Sequence, residues 1–128
     1  MRNRLLTLFT LLPALLLAGC GTLQTGGVYS DQKELYQIDS TINLSYEVIH
    51  TFVTWEMNSR AALASRPEIT KAADRMRVGA PKWFGTAFAL RDAYAAAPND
   101  GTKSALETSL AVLQAAMTEA TKYMAESR

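Results

Sequence analysis

The carboxyl-terminal third of the chain carries the pattern that most limits its fold. Leu106, Leu110, Leu113, Met117, Ala120 and Met124 follow one another in steps of four, three, four, three and four. At 3.6 residues per turn, these positions form one apolar seam of coiled-coil type, too short for a free coiled coil. Ala111, Ala115 and Ala116 beside the seam are small enough to allow close packing. Such a helix needs partners to cover its seam, and the preceding sequence supplies them. Leu35, Ile38, Ile42, Tyr46, Ile49, Phe52, Val53 and Met57 recur by threes and fours over a stretch that could run from Asp31 to about Ala64. Ser40 and Thr41, with the β-branched residues around them, weaken its middle and make a break there possible.

Punctuation then divides the rest. Ser65-Arg66-Pro67-Glu68 opens a new helix, with Ser65 as cap, Pro67 in the first turn and Glu68 three residues on. Ile69, Ala72, Ala73 and Met76 form its apolar stripe. Val78-Gly79-Ala80-Pro81 is expected to end or kink it, because Pro81 cannot donate a hydrogen bond and clashes with the preceding turn. Phe84, Ala87, Phe88, Arg91 and Tyr94 share one face of the continuation, and two pieces are favoured over one kinked helix. Pro98-Asn99-Asp100-Gly101 is a turn, and Thr102 is the expected cap of the last helix. No long stretch alternates like a half-buried strand. The reading is an all-α fold, a small antiparallel bundle of three to four helices over 31–128. Asp31 and Glu34 have the spacing of a capping box at its start.

The first twenty residues are of another kind. Arg2 and Arg4 precede an apolar run, Leu5 to Leu17, that is short for a membrane span of roughly 20 residues. Leu17-Ala18-Gly19-Cys20 follows. This arrangement resembles the lipobox of bacterial lipoproteins, in which a branched apolar residue and two small residues precede an obligatory cysteine. The resemblance covers only this segment. It implies cleavage between Gly19 and Cys20, fatty-acyl chains on Cys20, and attachment to a membrane. The domains would then be a signal peptide (1–19), a lipidated cysteine with a flexible tether (20–30), and the helical bundle (31–128). Gly21 is not the aspartate that, in such proteins of enteric bacteria, resembles an inner-membrane retention signal. The implied location is the cell envelope, on the outer membrane facing the periplasm.

Cys20 is the only cysteine, so no disulfide can form within the chain. Without Arg2 and Arg4, 11 basic residues face 12 acidic ones. That balance gives no reason to expect nucleic-acid binding. Charge is nevertheless unevenly spread. The stretch 31–59 holds Asp31, Glu34, Asp39, Glu47 and Glu56 against Lys33. The stretch 60–91 holds Arg60, Arg66, Lys71, Arg75, Arg77, Lys82 and Arg91 against Glu68 and Asp74. Either the basic arm meets anionic headgroups, or the two arms attract each other or stay solvated, which is the more ordinary arrangement. Trp55 and Trp83 fall at the edges of the apolar faces, where they could anchor a partner, sit at a membrane interface or, the commoner arrangement, be half-buried against a neighbouring helix.

Catalytic chemistry finds no foothold. Glu47 and His50 have the Glu-x-x-His spacing of a di-metal bundle site, but His50 is the only histidine and that site needs two. There is no nucleophile-elbow serine, P-loop or dinucleotide glycine pattern. Glu47, Glu56, Glu107 and Glu119 read as carboxylates on solvated faces. No catalytic residue, metal site or cofactor is assigned. The expectation is a non-enzymatic module with an envelope protein as partner. The alternative is a phage- or prophage-encoded lipoprotein that modifies the host envelope, by excluding other phages or assisting lysis. Oligomeric state is not legible.

Overall fold

The structure, a computed structural model, describes residues 27–127, with side chains from residue 32 onward. The signal segment, Gly19, Cys20 and the first part of the tether lie outside the described residues. Three helices account for nearly all of it: α1 (Gly27–Ser59), α2 (Pro67–Ala96) and α3 (Asp100–Glu126). No strand occurs among the described residues, and no helix there is long and apolar enough to cross a membrane.

Each helix touches the other two. Glu34 reaches Tyr94, Asp39 reaches Arg91, and Glu56 reaches Arg77, so α2 runs back along α1. Arg66 with Glu126 and Arg75 with Glu119 set the same reversed register between α2 and α3. The core between them comprises Ile38, Ile42, Ile49 and Phe52 of α1, Ile69, Ala72, Ala73, Met76, Phe84, Ala87 and Tyr94 of α2, and Leu106, Leu113, Ala116 and Ala120 of α3. Leu63 of the connection closes one end.

The helix ends differ from expectation in instructive ways. α1 begins at Gly27 and takes the last four tether residues into helix. Nothing between Val28 and Asp31 breaks a helix, and composition alone marks this stretch as tether. Asp31 is therefore inside α1, and Glu34, its expected capping partner, is buried against Tyr94. The weak middle does not break. The Thr41 hydroxyl donates to the Gln37 carbonyl (2.9 Å) and that of Ser45 to the Thr41 carbonyl (2.8 Å). These bonds satisfy the hydroxyls within the helix, so Ser45 can be buried without a lost partner.

α1 ends at Ser59, short of Ala64, and a turn leads to α2. The residue flanking α2 is Arg66, which makes no side-chain cap, with Pro67 in the first turn. Ser65 is exposed. Glu68 binds Arg66 (2.9 Å), and Arg66 also holds Glu126 at the far end of α3 (3.0 Å). Asn99, not Thr102, caps α3. Its Oδ1 accepts from the N–H groups of Gly101 (2.9 Å) and Thr102 (3.0 Å), while Thr102 Oγ1 accepts from the Asn99 N–H (3.1 Å). The box lies three residues earlier than Thr102 alone would put it.

α2 is one helix with Pro81 inside it, so the favoured break does not form and the described residues hold three helices. Proline removes the bond to the Arg77 carbonyl, but Arg77 and Pro81 both lie on the exposed side, where water can serve that carbonyl. Met76 before it and Phe84 and Ala87 after it are all buried, so tertiary packing holds both halves on one axis.

Gly79 is fixed by a neighbour rather than by the proline. A Cβ there would stand 2.3 Å from Cζ2 of Trp83 and within 3 Å of two more ring atoms. The indole lies against bare backbone one turn before it. Gly79→Ala is expected to cost about 1–3 kcal/mol, as overpacking does, and to red-shift Trp83 emission as the ring is displaced. Thermal denaturation would show it, and adding Trp83→Ala should remove most of the extra cost. Alanine in a helix interior returns roughly 1 kcal/mol of that cost, so an unchanged midpoint together with unshifted tryptophan emission would refute the contact.

Candidate functional site

The buried stripe of α1 is Glu34, Ile38, Ile42, Ser45, Ile49, Phe52 and Glu56. Two of its positions differ from the apolar reading: Tyr46 and Met57 are 52% and 60% exposed, and the polar residues just before them are inside. Glu56 is the important one. Its place on a charged helix points to a solvated face, yet it is fully buried. Nε of Arg60 donates to its Oε1 (2.8 Å), and Nη2 of Arg60 and of Arg77 donate to its Oε2 (3.0 and 3.2 Å). Asp74 accepts from Arg60 (3.1 Å) and also from Arg77. Two carboxylates and two guanidinium groups thus neutralise one another where α1, the turn and α2 meet. The Arg60 hydrogen bond, helped by Thr70 and Arg77, holds the Glu56 carboxyl below its ordinary value despite burial, which pushes the other way.

The remaining arginines of the basic arm are similarly engaged. Arg66 binds Glu68 and Glu126, and Arg75 binds Glu119. Arg91 grips Asp39 through Nε and Nη2, both at 2.8 Å, and also reaches Asp92. The Asp39 pair, above all, raises the Arg91 guanidinium further above its already high value. Attraction between the arms is therefore part of the answer, and α3 is the partner that the two-arm picture left out. Of the basic residues named from sequence, Lys71 and Lys82 differ: both are exposed, and neither has an ion pair among the described residues.

Trp55 and Trp83 are both half-buried against the core. Trp55 leans on Phe52 (ring centroids 5.9 Å) and Trp83 on Gly79. With Tyr46 beside Phe84 and Glu56 beside Arg77, the two indoles sit at different heights on the bundle, separated by roughly 8–12 Å along its axis. They do not form one aromatic patch. Phe88, expected on the buried face, is 46% exposed, and Ala111 and Ala115 are exposed while Ala116 is buried.

Glu47 and His50 are both exposed. The His50 ring stacks on Tyr46 (centroids 5.8 Å apart, planes 12° apart) rather than turning to Glu47, and Tyr46 meets Phe84 edge-on at 5.5 Å. Among the described residues, no three His, Cys, Asp or Glu side chains are grouped to hold a metal. Glu34 and Tyr94 are a feature that apolar periodicity could not reveal. The Tyr94 hydroxyl donates to Glu34 Oε2 (2.9 Å) in a buried bond, while Oε1 of Glu34 has no partner among the described residues. The signal in the sequence is slight: Glu34 lies one helical turn before Ile38, beside Leu35 on which the apolar repeat is read. No family model, curated protein or solved structure matches the chain.

Proposed function

We propose that the chain is an envelope lipoprotein: a small helical domain held to a membrane by acyl chains on Cys20, acting as a non-enzymatic binding or structural module. Leu17-Ala18-Gly19-Cys20, after a basic start and a short apolar run, carries this reading. The single thiol agrees with it, since acylation removes a group that would otherwise be unpaired in an oxidising compartment. More than one acyl chain is needed for stable attachment, and the lipobox family supplies that. The ion-paired arginines and exposed aromatic edge suit a module that acts by contact, with Tyr46, His50 and Phe88 available to a protein partner in the envelope.

Mass spectrometry of protein extracted from membranes should find a chain that starts at Cys20 and carries fatty-acyl chains. Cys20→Ala should abolish both incorporation of labelled fatty acid and removal of the signal segment. A mature terminus elsewhere, or an unmodified Cys20, would sink the anchor. Crosslinking in intact cells that recovers only monomer would count against the binding role.

A further inference from the structure

We infer that the outward face of α2 docks on an anionic lipid surface through Lys71, Val78 and Lys82. This rests on the lipid anchor proposed above. Positions 71, 75, 78 and 82 recur by four, three and four, so they form one stripe, on the opposite side of α2 from Ile69, Ala73, Met76, Ala80 and Phe84. The stripe reads Lys, Arg, Val, Lys and continues through Thr86, Ala89 and Ala93 without an acid. Val78 in its middle is 81% exposed, the most exposed of the large hydrophobic side chains among the described residues. Arg75 is on the stripe but held by Glu119, so Lys71 and Lys82 are the cations that can turn outward. The nearest acids are already engaged: Glu68 by Arg66, and Asp74 by Arg60 and Arg77.

Two cations flanking an exposed aliphatic group match the boundary of a bilayer, where anionic headgroups lie over apolar chains. An acidic polypeptide would satisfy the lysines but leave Val78 against charge and water. The reach is sufficient. Six residues separate Cys20 from Gly27, and at no more than ~3.6 Å per residue the link spans up to about 25 Å. A three-helix bundle of ~10 Å helices is no thicker than that, so the link lets α2 lie on the surface to which Cys20 is anchored. Each lysine adds roughly a fivefold preference for the anionic surface.

Amine-reactive footprinting of the full chain purified from membranes tests this without substitution. The protein is placed on vesicles of phosphatidylcholine alone, or of phosphatidylcholine with phosphatidylglycerol, and lysine labelling is read by mass spectrometry. Lys71 and Lys82 should lose reactivity on the order of fivefold or more on the anionic vesicles only, while Lys33 on α1 and Lys122 on α3 keep theirs. The inference is overturned if Lys71 and Lys82 stay reactive on anionic vesicles, or if all four lysines fall together. It is also overturned if soluble polyglutamate protects the pair as well as lipid does, which would point to an acidic protein instead. The same digest contains the Cys20 peptide. An unacylated Cys20 refutes the anchor whatever the lysines do, and unprotected lysines refute the docking face whatever Cys20 carries.

Discussion

Phe52→Ala is expected to lower stability by about 3–5 kcal/mol, a large share of what a domain of this size has to lose. Phe52 is fully buried and, among the described residues, is the largest side chain so enclosed. Its ring lies 5.9 Å from that of Trp55 on the same helix and 6.2 Å from that of Tyr123 on α3, the latter nearly parallel at 18°. Truncation forfeits its transfer energy and both ring contacts. It also leaves a cavity that a core of α-helices cannot collapse, because the backbones are held apart by their other side chains. In a domain of about 100 residues the thermal midpoint should fall by roughly 15–30 °C. In urea the midpoint should fall with little change in slope. Met57→Ala, five residues on and exposed, should cost less than about 1 kcal/mol. Equal losses for the two variants would show that α1 is not turned as described.

The second large effect concerns Glu56. Replacing both Arg60 and Arg77 with methionine strands a fully buried carboxylate with only Thr70 beside it. The expected loss at neutral pH is about 3 kcal/mol. That is the lower end of the range for an uncompensated buried charge. The arginine side chains are 50% and 37% exposed, so water can follow into the vacated space. Adding Glu56→Leu should restore most of the loss, since an apolar triad of similar volume leaves no buried charge unpaired, and Asp74 is 52% exposed to water.

The pH dependence gives a second readout. In the native protein the Glu56 pKa is lowered from 4.5, so its contribution is present above that value and fades as the pH falls through and below it. In the double variant only burial and Thr70 act, and burial raises the carboxyl. The cost of the double variant should therefore be greatest at neutral pH and shrink on acidification. Urea denaturation at neutral and mildly acid pH would measure both slopes. Parallel slopes for the native chain and the double variant would remove the stranded-charge account.

These two residues mark where sequence reading succeeded and where it did not. Phe52 is legible because an aromatic at the right step of an apolar repeat has one low-energy destination. Glu56 is not, because its burial depends on Arg77 and Asp74, about twenty residues away and brought near only by the reversal at 60–66. Reading hydrophobicity alone put Tyr46 and Met57 on the face that Ser45 and Glu56 occupy. Ser45 can be inside because it spends its hydroxyl on its own helix, and Glu56 because two arginines meet it. Pro81 shows the converse error. A strong local breaker was overruled by Met76, Phe84 and Ala87, which bind the segments on either side to the same two neighbours.

Taken alone, the sequence determined that the described chain is helical, that its reversals fall near 65 and 98–101, and which aliphatic and aromatic residues form most of the core. Those properties are local: period, breakers and side-chain transfer energy all act within a few residues. Tertiary structure decided the rest. It selected one α2 rather than two, buried Glu34 and Glu56, and set all five arginines of the basic arm against acids of other segments. It thereby left Lys71 and Lys82 facing outward. Charge pairing acts over a few ångströms in space without regard to distance along the chain, so only the folded arrangement says which cations are spent and which are left.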